Sequence, residues 1–181
     1  MVEDKFLLWK FRRGSREALC RIYEKYKDEL LKVAVALSHD LAIAEDVVQE
    51  VFVRFAQAPA EIRLNGNLRA YLMTCTANRV RNARRDRQRH ETCDLEEADG
   101  LASPERLPEQ WAVMTEELER LSQALAQIPY EQREVLTLYM QGDVTFRQIA
   151  RMQQMSINTI QGRYRYGLAK LRSLLNGEVQ P

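Results

Sequence analysis

Cysteine is scarce in this chain: Cys20, Cys75 and Cys93 are the only three among 181 residues. They are too few and too scattered for a disulfide framework or a zinc site, so idle thiols in a reducing cytoplasm are expected. Histidine is scarcer still, with His39 and His90 in unrelated places. No apolar run reaches the roughly eighteen residues that a membrane span needs, so no membrane insertion is expected. The N-terminal "MVEDKFLLWKFRRG" opens acidic and lacks a long apolar core, unlike a signal peptide. Internal repeats are missing, and so is any β-alternation long enough for a strand. No cofactor, metal site or catalytic residue is expected.

The formal charge of +1 conceals a strong segregation. Residues 69 to 89 hold seven arginines (Arg69, Arg79, Arg81, Arg84, Arg85, Arg87, Arg89) against one acid, Asp86. Residues 91 to 109 reverse the sign, with Glu91, Asp94, Glu96, Glu97, Asp99, Glu105 and Glu109 against Arg106. From Val144 to Gly177 there is no acid, while Arg147, Arg151, Arg163, Arg165, Lys170 and Arg172 are present. A basic block is usually a solvated helix face, but one nearly without compensating acids points toward nucleic acid.

Helical spacing runs through most of the chain. Leu19, Ile22, Tyr23, Tyr26, Leu30, Val33 and Leu37 make one apolar stripe between Arg16 and Leu37. After the polar break "SHDLA" a second helix is expected from about Ile43 to Ala58, where Pro59 ends the ladder. The loop "PAEIRLNGN" holds an Asn-Gly turn signal, and a third helix starts near Leu68. Residues 91 to 110 have linker composition: two prolines, one glycine and seven acids, with little periodicity. Trp111, Met114, Leu118, Leu121 and Leu125 resume a helical stripe up to Pro129. A short helix then turns Val135, Leu138 and Tyr139 inward and closes at "QGD". The expected fold is all-α, with two small helical domains (1–90 and 111–176) joined by a flexible acidic linker (91–110), and a tail at 177–181.

Two segments carry candidate function. In "TFRQIARMQQMSINTIQGRYRYGLAKL" a first helix would pack through Phe146, Ile149 and Ala150. A tight turn follows, with Gln154 standing where glycine is expected. Ser156 would cap a second helix that buries Ile157, Ile160, Tyr164, Leu168 and Leu171. Asn158, Thr159, Gln161, Arg163 and Arg165 would remain outside, the pattern of a helix-turn-helix whose second helix meets base edges in the major groove. In "AEDVVQEVFVRF", Val47, Val48, Val51, Phe52 and Phe55 form a core face, and Asp46, Gln49, Glu50 and Val53 form a second stripe. DNA phosphates would repel that acidic stripe, whereas a basic protein surface would attract it.

Four segments in order, "AEDVVQEVFVRF", "LRAYLMTCTANRVRNARR", "IPYEQREVLTLYMQGDVTFRQIA" and "TIQGRYRYGLAKL", resemble regions 2 and 4 of bacterial extracytoplasmic-function (ECF) sigma factors, of the sigma-70 family. The resemblance runs from about residue 15 to 175. It implies a region 2 helical bundle and a region 4 helix-turn-helix in a dissociable, non-enzymatic subunit that binds core RNA polymerase and directs promoter-specific initiation. By matching position, Asp46, Gln49, Glu50 and Val53 would meet the clamp helices of the largest polymerase subunit. Asn65, Asn67, Tyr71, Asn78, Arg79, Arg81, Arg84 and Arg85 would read and hold the separated −10 strand. Ser156, Asn158, Thr159, Gln161, Arg163 and Arg165 would read the −35 duplex. Promoter DNA is therefore an implied partner, and an anti-sigma factor or another regulator is a further one. Asn82, Gln148, Tyr166 and Gly167 depart from the family pattern, which has an acid, Glu and "RA" at these places.

Two other readings compete. A helix-turn-helix regulator that is no polymerase subunit would explain residues 145 to 172, but not the acidic stripe or the first arginine block. A metal-dependent nuclease would use Asp40, Glu45, Asp46 and Glu50, of which Asp46 and Glu50 could share a metal at i, i+4. No histidine or further carboxylate converges on them by spacing.

Overall fold

The computed structural model describes residues 2–59, 67–93 and 116–176. They form eight helices: α1 (Val2–Arg12), α2 (Arg16–Ser38), α3 (Leu41–Gln57), α4 (Leu68–Cys93), α5 (Glu116–Ala126), α6 (Tyr130–Gln141), α7 (Phe146–Gln153) and α8 (Ile157–Asn176). No strand occurs among the described residues.

Helix boundaries follow local chemistry. The Ser15 hydroxyl accepts from the Ala18 amide and starts α2. His39 ends it in the left-handed conformation at φ 56°. Asp40 follows at once as the N-cap of α3, accepting from the Ile43 amide at 3.0 Å. The expected break "SHDLA" is thus only two residues long, and Leu41 and Ala42 are already helical. A side-chain oxygen at an N-cap satisfies an amide that has no partner within the helix and contributes about 1 kcal/mol.

The first four helices enclose one core. Ile22, Leu30, Val33 and Leu37 of α2 are almost wholly buried, as are Leu68, Leu72 and Met73 of α4. From α3 come Val47, Val48, Val51, Phe52 and Phe55, all buried, as their spacing predicts. Burying each such side chain stabilises the fold by roughly 1.5–3 kcal/mol. Tyr23 belongs only partly to this set: it is exposed at its rim but meets the Phe52 ring edge-on, with centroids 4.8 Å apart.

The N-terminal segment forms a helix of its own, α1, outside the stripe that begins at Arg16. Leu7, Leu8 and Phe11 are buried against the bundle, and Phe11 stacks on Phe55 at 5.0 Å. At its start, Lys25 donates to Glu3 at 2.7 Å and to Asp4 at 2.8 Å, and the Tyr26 hydroxyl donates to Asp4 at 2.9 Å. These bonds hold the Asp4 carboxyl below its ordinary range, although burial pushes the other way.

The helices from α5 onward form a second unit. Ala124, Ile128, Leu136 and Leu171 make its own small core. Tyr130, Val135, Leu138, Val144, Ile149, Ala150 and Ile160 join the core of the first unit. Helix α6 therefore packs against α2 and α4 as well as α8.

Several side chains depart from the expected pattern. Tyr139 is exposed rather than inward, although it stacks on Phe146 at 4.1 Å and meets Tyr164 edge-on. Ile157, the first residue of α8, is also exposed. Helix α4 continues to Cys93, beyond the expected boundary at residue 90. Trp111 and Met114, expected to begin the helical stripe that resumes in α5, lie outside the described residues.

Candidate nucleic-acid interface

The acidic stripe has the predicted placement on α3. Asp46, Gln49 and Val53 are exposed, and Val53 is 52% accessible. Glu50 differs: its carboxylate pairs with Arg54 at 2.7 Å and with Arg79 of α4, and its side chain is only 30% exposed. One member of the stripe is therefore already neutralised within the chain.

Helix α4 presents the arginines. Asn67 caps it, accepting from the Ala70 amide at 2.7 Å, so that oxygen is engaged in the cap. Tyr71 is half-buried, 6.4 Å from Phe55, and its hydroxyl reaches the Cys75 thiol. Burial pushes that thiol up, which keeps it protonated and inert. Asn78 accepts from Arg81 at 3.2 Å. Between α3 and α4 lies an open pocket of about 340 Å³, lined by Glu50, Tyr71, Cys75, Asn78, Arg79 and Asn82 among others. Asn78 and Tyr71 thus share a wall with Arg79, and Arg84 and Arg85 lie exposed further along the helix. Asn65 lies outside the described residues.

The second unit forms a well-capped helix pair. The Thr145 hydroxyl accepts from the Gln148 amide at 3.3 Å, while the Gln148 side chain accepts from the Thr145 amide at 2.9 Å. This reciprocal box suits Glu or Gln at the third helical position, so Gln148 departs from the family pattern without losing the cap. Gln154 occupies the left-handed position at φ 55°, where the sequence reading expects glycine. Ser156 caps α8, accepting from the Thr159 amide at 3.0 Å and sharing a hydroxyl bond with Thr159. Asn158, Thr159, Gln161 and Arg165 are exposed on the first turns of α8. Arg163 is half-buried and donates to Gln153 at 2.6 Å.

Two charged residues that the sequence reading passed over lie at the heart of the molecule. Glu134 of α6 is 1% exposed and accepts from Arg81 at 2.5 Å and from Gln153 at 2.8 Å. Burial raises its carboxyl above the ordinary range, and the adjacent Arg81 charge opposes that rise. Arg133 is 7% exposed and donates to the Leu37 and Leu125 carbonyls, each at 3.1 Å. A signal for both exists in the sequence: they share the helical register of Tyr130, Thr137 and Leu138, where apolar residues are otherwise expected.

Among the described residues the nuclease reading finds no site. No group of three or more histidine, cysteine or acidic residues converges as metal ligands among the described residues. Asp40 is an N-cap, and Glu50 is paired to arginines. Among the described residues no helix is long and apolar enough to cross a membrane.

Comparison with known proteins bears directly on this geometry. Residues 22–90 match the Sigma-70 region 2 family and residues 118–171 match the Sigma-70 region 4 family, together more than half of the chain. The chain is 26% identical to the RNA polymerase sigma-H factor of Pseudomonas aeruginosa, over 99% of its own length and 95% of that protein. It is 29% identical to the ECF RNA polymerase sigma factor EcfG of Rhodopseudomonas palustris, over 78% and 76% of the two chains. It is also 27% identical to the sigma factor RfaY of Xanthomonas campestris, but spans only 41% of that longer protein. In three dimensions it is similar to CnrH, solved in complex with the cytosolic domain of CnrY, with a TM-score of 0.69 and 21% identity over 97% of this chain and 99% of that one. With both regions matched in order, and with α4 and the α7–α8 pair built as described, the chain belongs to the ECF branch of the sigma-70 family of RNA polymerase sigma factors, which direct transcription initiation.

Proposed function

We propose that this sigma factor reads its promoter with two separate surfaces and holds core polymerase with a third. The observation that carries the reading is the division of charge among helices: an exposed acidic and apolar stripe on α3, arginines on α4, and a basic, acid-free α7–α8 pair.

Asp46, Gln49 and Val53, joined by Glu50 when it releases its arginines, meet a basic surface on the largest polymerase subunit. The Asn158, Thr159, Gln161, Arg163 and Arg165 side chains read the −35 duplex from the major groove, with the Ser156 cap presenting the start of the helix. Tyr71, Asn78 and Asn67, with Asn65 two positions before Asn67 in the sequence, receive an unstacked base of the −10 strand. Arg79, Arg81, Arg84 and Arg85 hold its phosphates. Unstacking a base costs a few kcal/mol, and stacking and edge contacts offset it. A regulator of the anti-sigma kind is a further partner, and the factor works in the cytoplasm.

Run-off transcription with purified core polymerase tests the reading. The full chain is expected to bind core and direct initiation from a cognate promoter. A chain that does neither would overturn it.

A further inference from the structure

Four arginines converge on one cleft that the chain's own acids do not neutralise. Arg81, Arg84 and Arg85 stand at i, i+3 and i+4 on α4, one face of that helix, and Arg163 joins them from α8. The cleft holds about 480 Å³. Its carboxylates are Glu131 and Glu134 of α6. Glu131 is exposed to solvent. Both oxygens of Glu134 are engaged, one by Arg81 at 2.5 Å and the other by Gln153 at 2.8 Å. Even with both acids ionised, two of the four cations stay uncompensated. Among the described residues no carboxylate forms an ion pair with Arg84, Arg85 or Arg163.

A second observation points to the same cleft. Tyr130 lines it and is only 6% exposed, yet its hydroxyl has no hydrogen-bond partner. A buried hydroxyl left unpaired is costly to the fold. Packing does not require it either, since the ring alone carries Arg84 at 4.5 Å and Arg133 at 5.6 Å. Burial raises the phenol above its ordinary range, and the Glu134 charge adds to the rise. The group therefore stays protonated, a donor without an acceptor.

We propose that this cleft binds a small oligophosphate anion, either inorganic or the phosphate chain of a nucleotide. Guanidinium forks match phosphate oxygens in pairs. The cations are spread along one turn of α4 and across to α8, so a chain of several phosphates meets more of them than a single phosphate can. Arg84 is held by its stacking on Tyr130, and Arg163 by its bond to Gln153 at 2.6 Å. Such prior ordering lowers the cost of fixing both side chains on an anion. The Tyr130 hydroxyl donates to a phosphate oxygen. A ligand held by α4 and α8 at once ties the two units together. The site requires only the cleft, whichever promoter strand these arginines hold.

Isothermal titration of the full chain with sodium tripolyphosphate, at fixed ionic strength and without divalent cations, tests the site. At a hundredfold excess over the dissociation constant the thermal midpoint should rise by about 5–10 °C. Orthophosphate should bind at least about tenfold more weakly. Arg85→Ala on α4 and Arg163→Ala on α8 should each weaken tripolyphosphate about tenfold. Arg172→Ala, exposed on α8 outside the cleft, removes the same charge and should have no effect. Tyr130→Phe deletes only the hydroxyl. It should weaken binding several-fold while the midpoint of the anion-free chain holds or rises, which a merely structural hydroxyl would not do. ATP bound more tightly than tripolyphosphate identifies a nucleotide as the source, and equal or weaker ATP binding identifies the inorganic chain; both results support the site. Loss in Arg85→Ala without loss in Arg163→Ala would put the anion on α4 alone and overturn the cleft. Equal loss in Arg172→Ala would reduce the binding to diffuse attraction and overturn it too. A chain that directs run-off transcription but shows neither heat nor a midpoint shift with tripolyphosphate would sink this proposal and leave the promoter reading standing.

Discussion

Two glycines on α8, five residues apart, should respond oppositely to the same substitution. Nothing lies within 4 Å of a Cβ built at Gly162. Gly162→Ala should therefore gain the helix propensity difference, about 0.8–1 kcal/mol. At Gly167 a Cβ would fall 2.9 Å from Leu136 Cδ1 and 3.1 Å from Gln132 Cβ. Leu136 is 1% exposed and cannot swing into solvent, and the Gln132 Cβ moves only with its backbone. Overpacking of this kind costs about 1–3 kcal/mol, so after the propensity gain Gly167→Ala should be neutral to about 2 kcal/mol less stable than the parent. Thermal and urea unfolding of the full chain, followed by circular dichroism, measure both variants. One kcal/mol corresponds to a midpoint shift of about 2–4 °C at this size. If Gly167→Ala melts at or above Gly162→Ala, α8 does not pack on α6 as closely as described. The same contact explains why glycine stands where the family usually has alanine.

Other outcomes follow from single contacts. Thr145→Ala removes the cap of α7 and should cost about 0.5–2 kcal/mol by urea unfolding; an unchanged midpoint would refute the capping box. Asp46→Arg should weaken core polymerase binding about tenfold or more, without altering the circular dichroism spectrum, since Asp46 is exposed; equal affinity would remove this residue from the interface. His39 is held near pKa 4 by burial, with the adjacent Arg133 adding to the effect, and its Nε2 has no hydrogen-bond partner. The unfolded chain thus binds the proton more tightly, so stability is full above about pH 6.5 and falls as pH drops toward 4. Discounted for partial solvent access, the loss should be roughly 1–2 kcal/mol. His39→Asn, which tolerates the left-handed backbone, should remove that share of the pH dependence, as urea midpoints at pH 7 and pH 5 would show.

Much of the fold was legible because it is local. The α3 core face, the Ser156 cap, the Gln154 turn and both helices of the final pair follow from spacing and capping within a few residues. What escaped was of two kinds. Helix α1 has Phe6, Leu7, Leu8, Trp9 and Phe11 crowded together, so no single apolar stripe announces it. Phe6 and Trp9 remain exposed, under the Lys10 and Arg13 side chains. Glu134 and Arg133 escaped because their partners, Arg81 and Leu37, are 53 and 96 residues away. Spacing along the chain carries no information about such pairs, although charges on an apolar register mark them in retrospect. Asp46, Gln49 and Val53 on α3, and Asn158, Thr159, Gln161 and Arg165 on α8, are exposed as the spacing predicts, whereas Arg163, Asn67 and Glu50 have local bonds that the resemblance did not foresee.

Glu50 links two tasks through one carboxylate. It is counter-ion to Arg79, and it belongs to the stripe proposed to meet polymerase. A carboxylate that turns to a cation of another protein leaves its former partner unneutralised. Any polymerase lysine or arginine that captures Glu50 therefore raises the positive potential on α4 at the moment of assembly. Ion exchange at a single side chain would make the assembled complex a better strand binder than the free subunit, before any helix has moved.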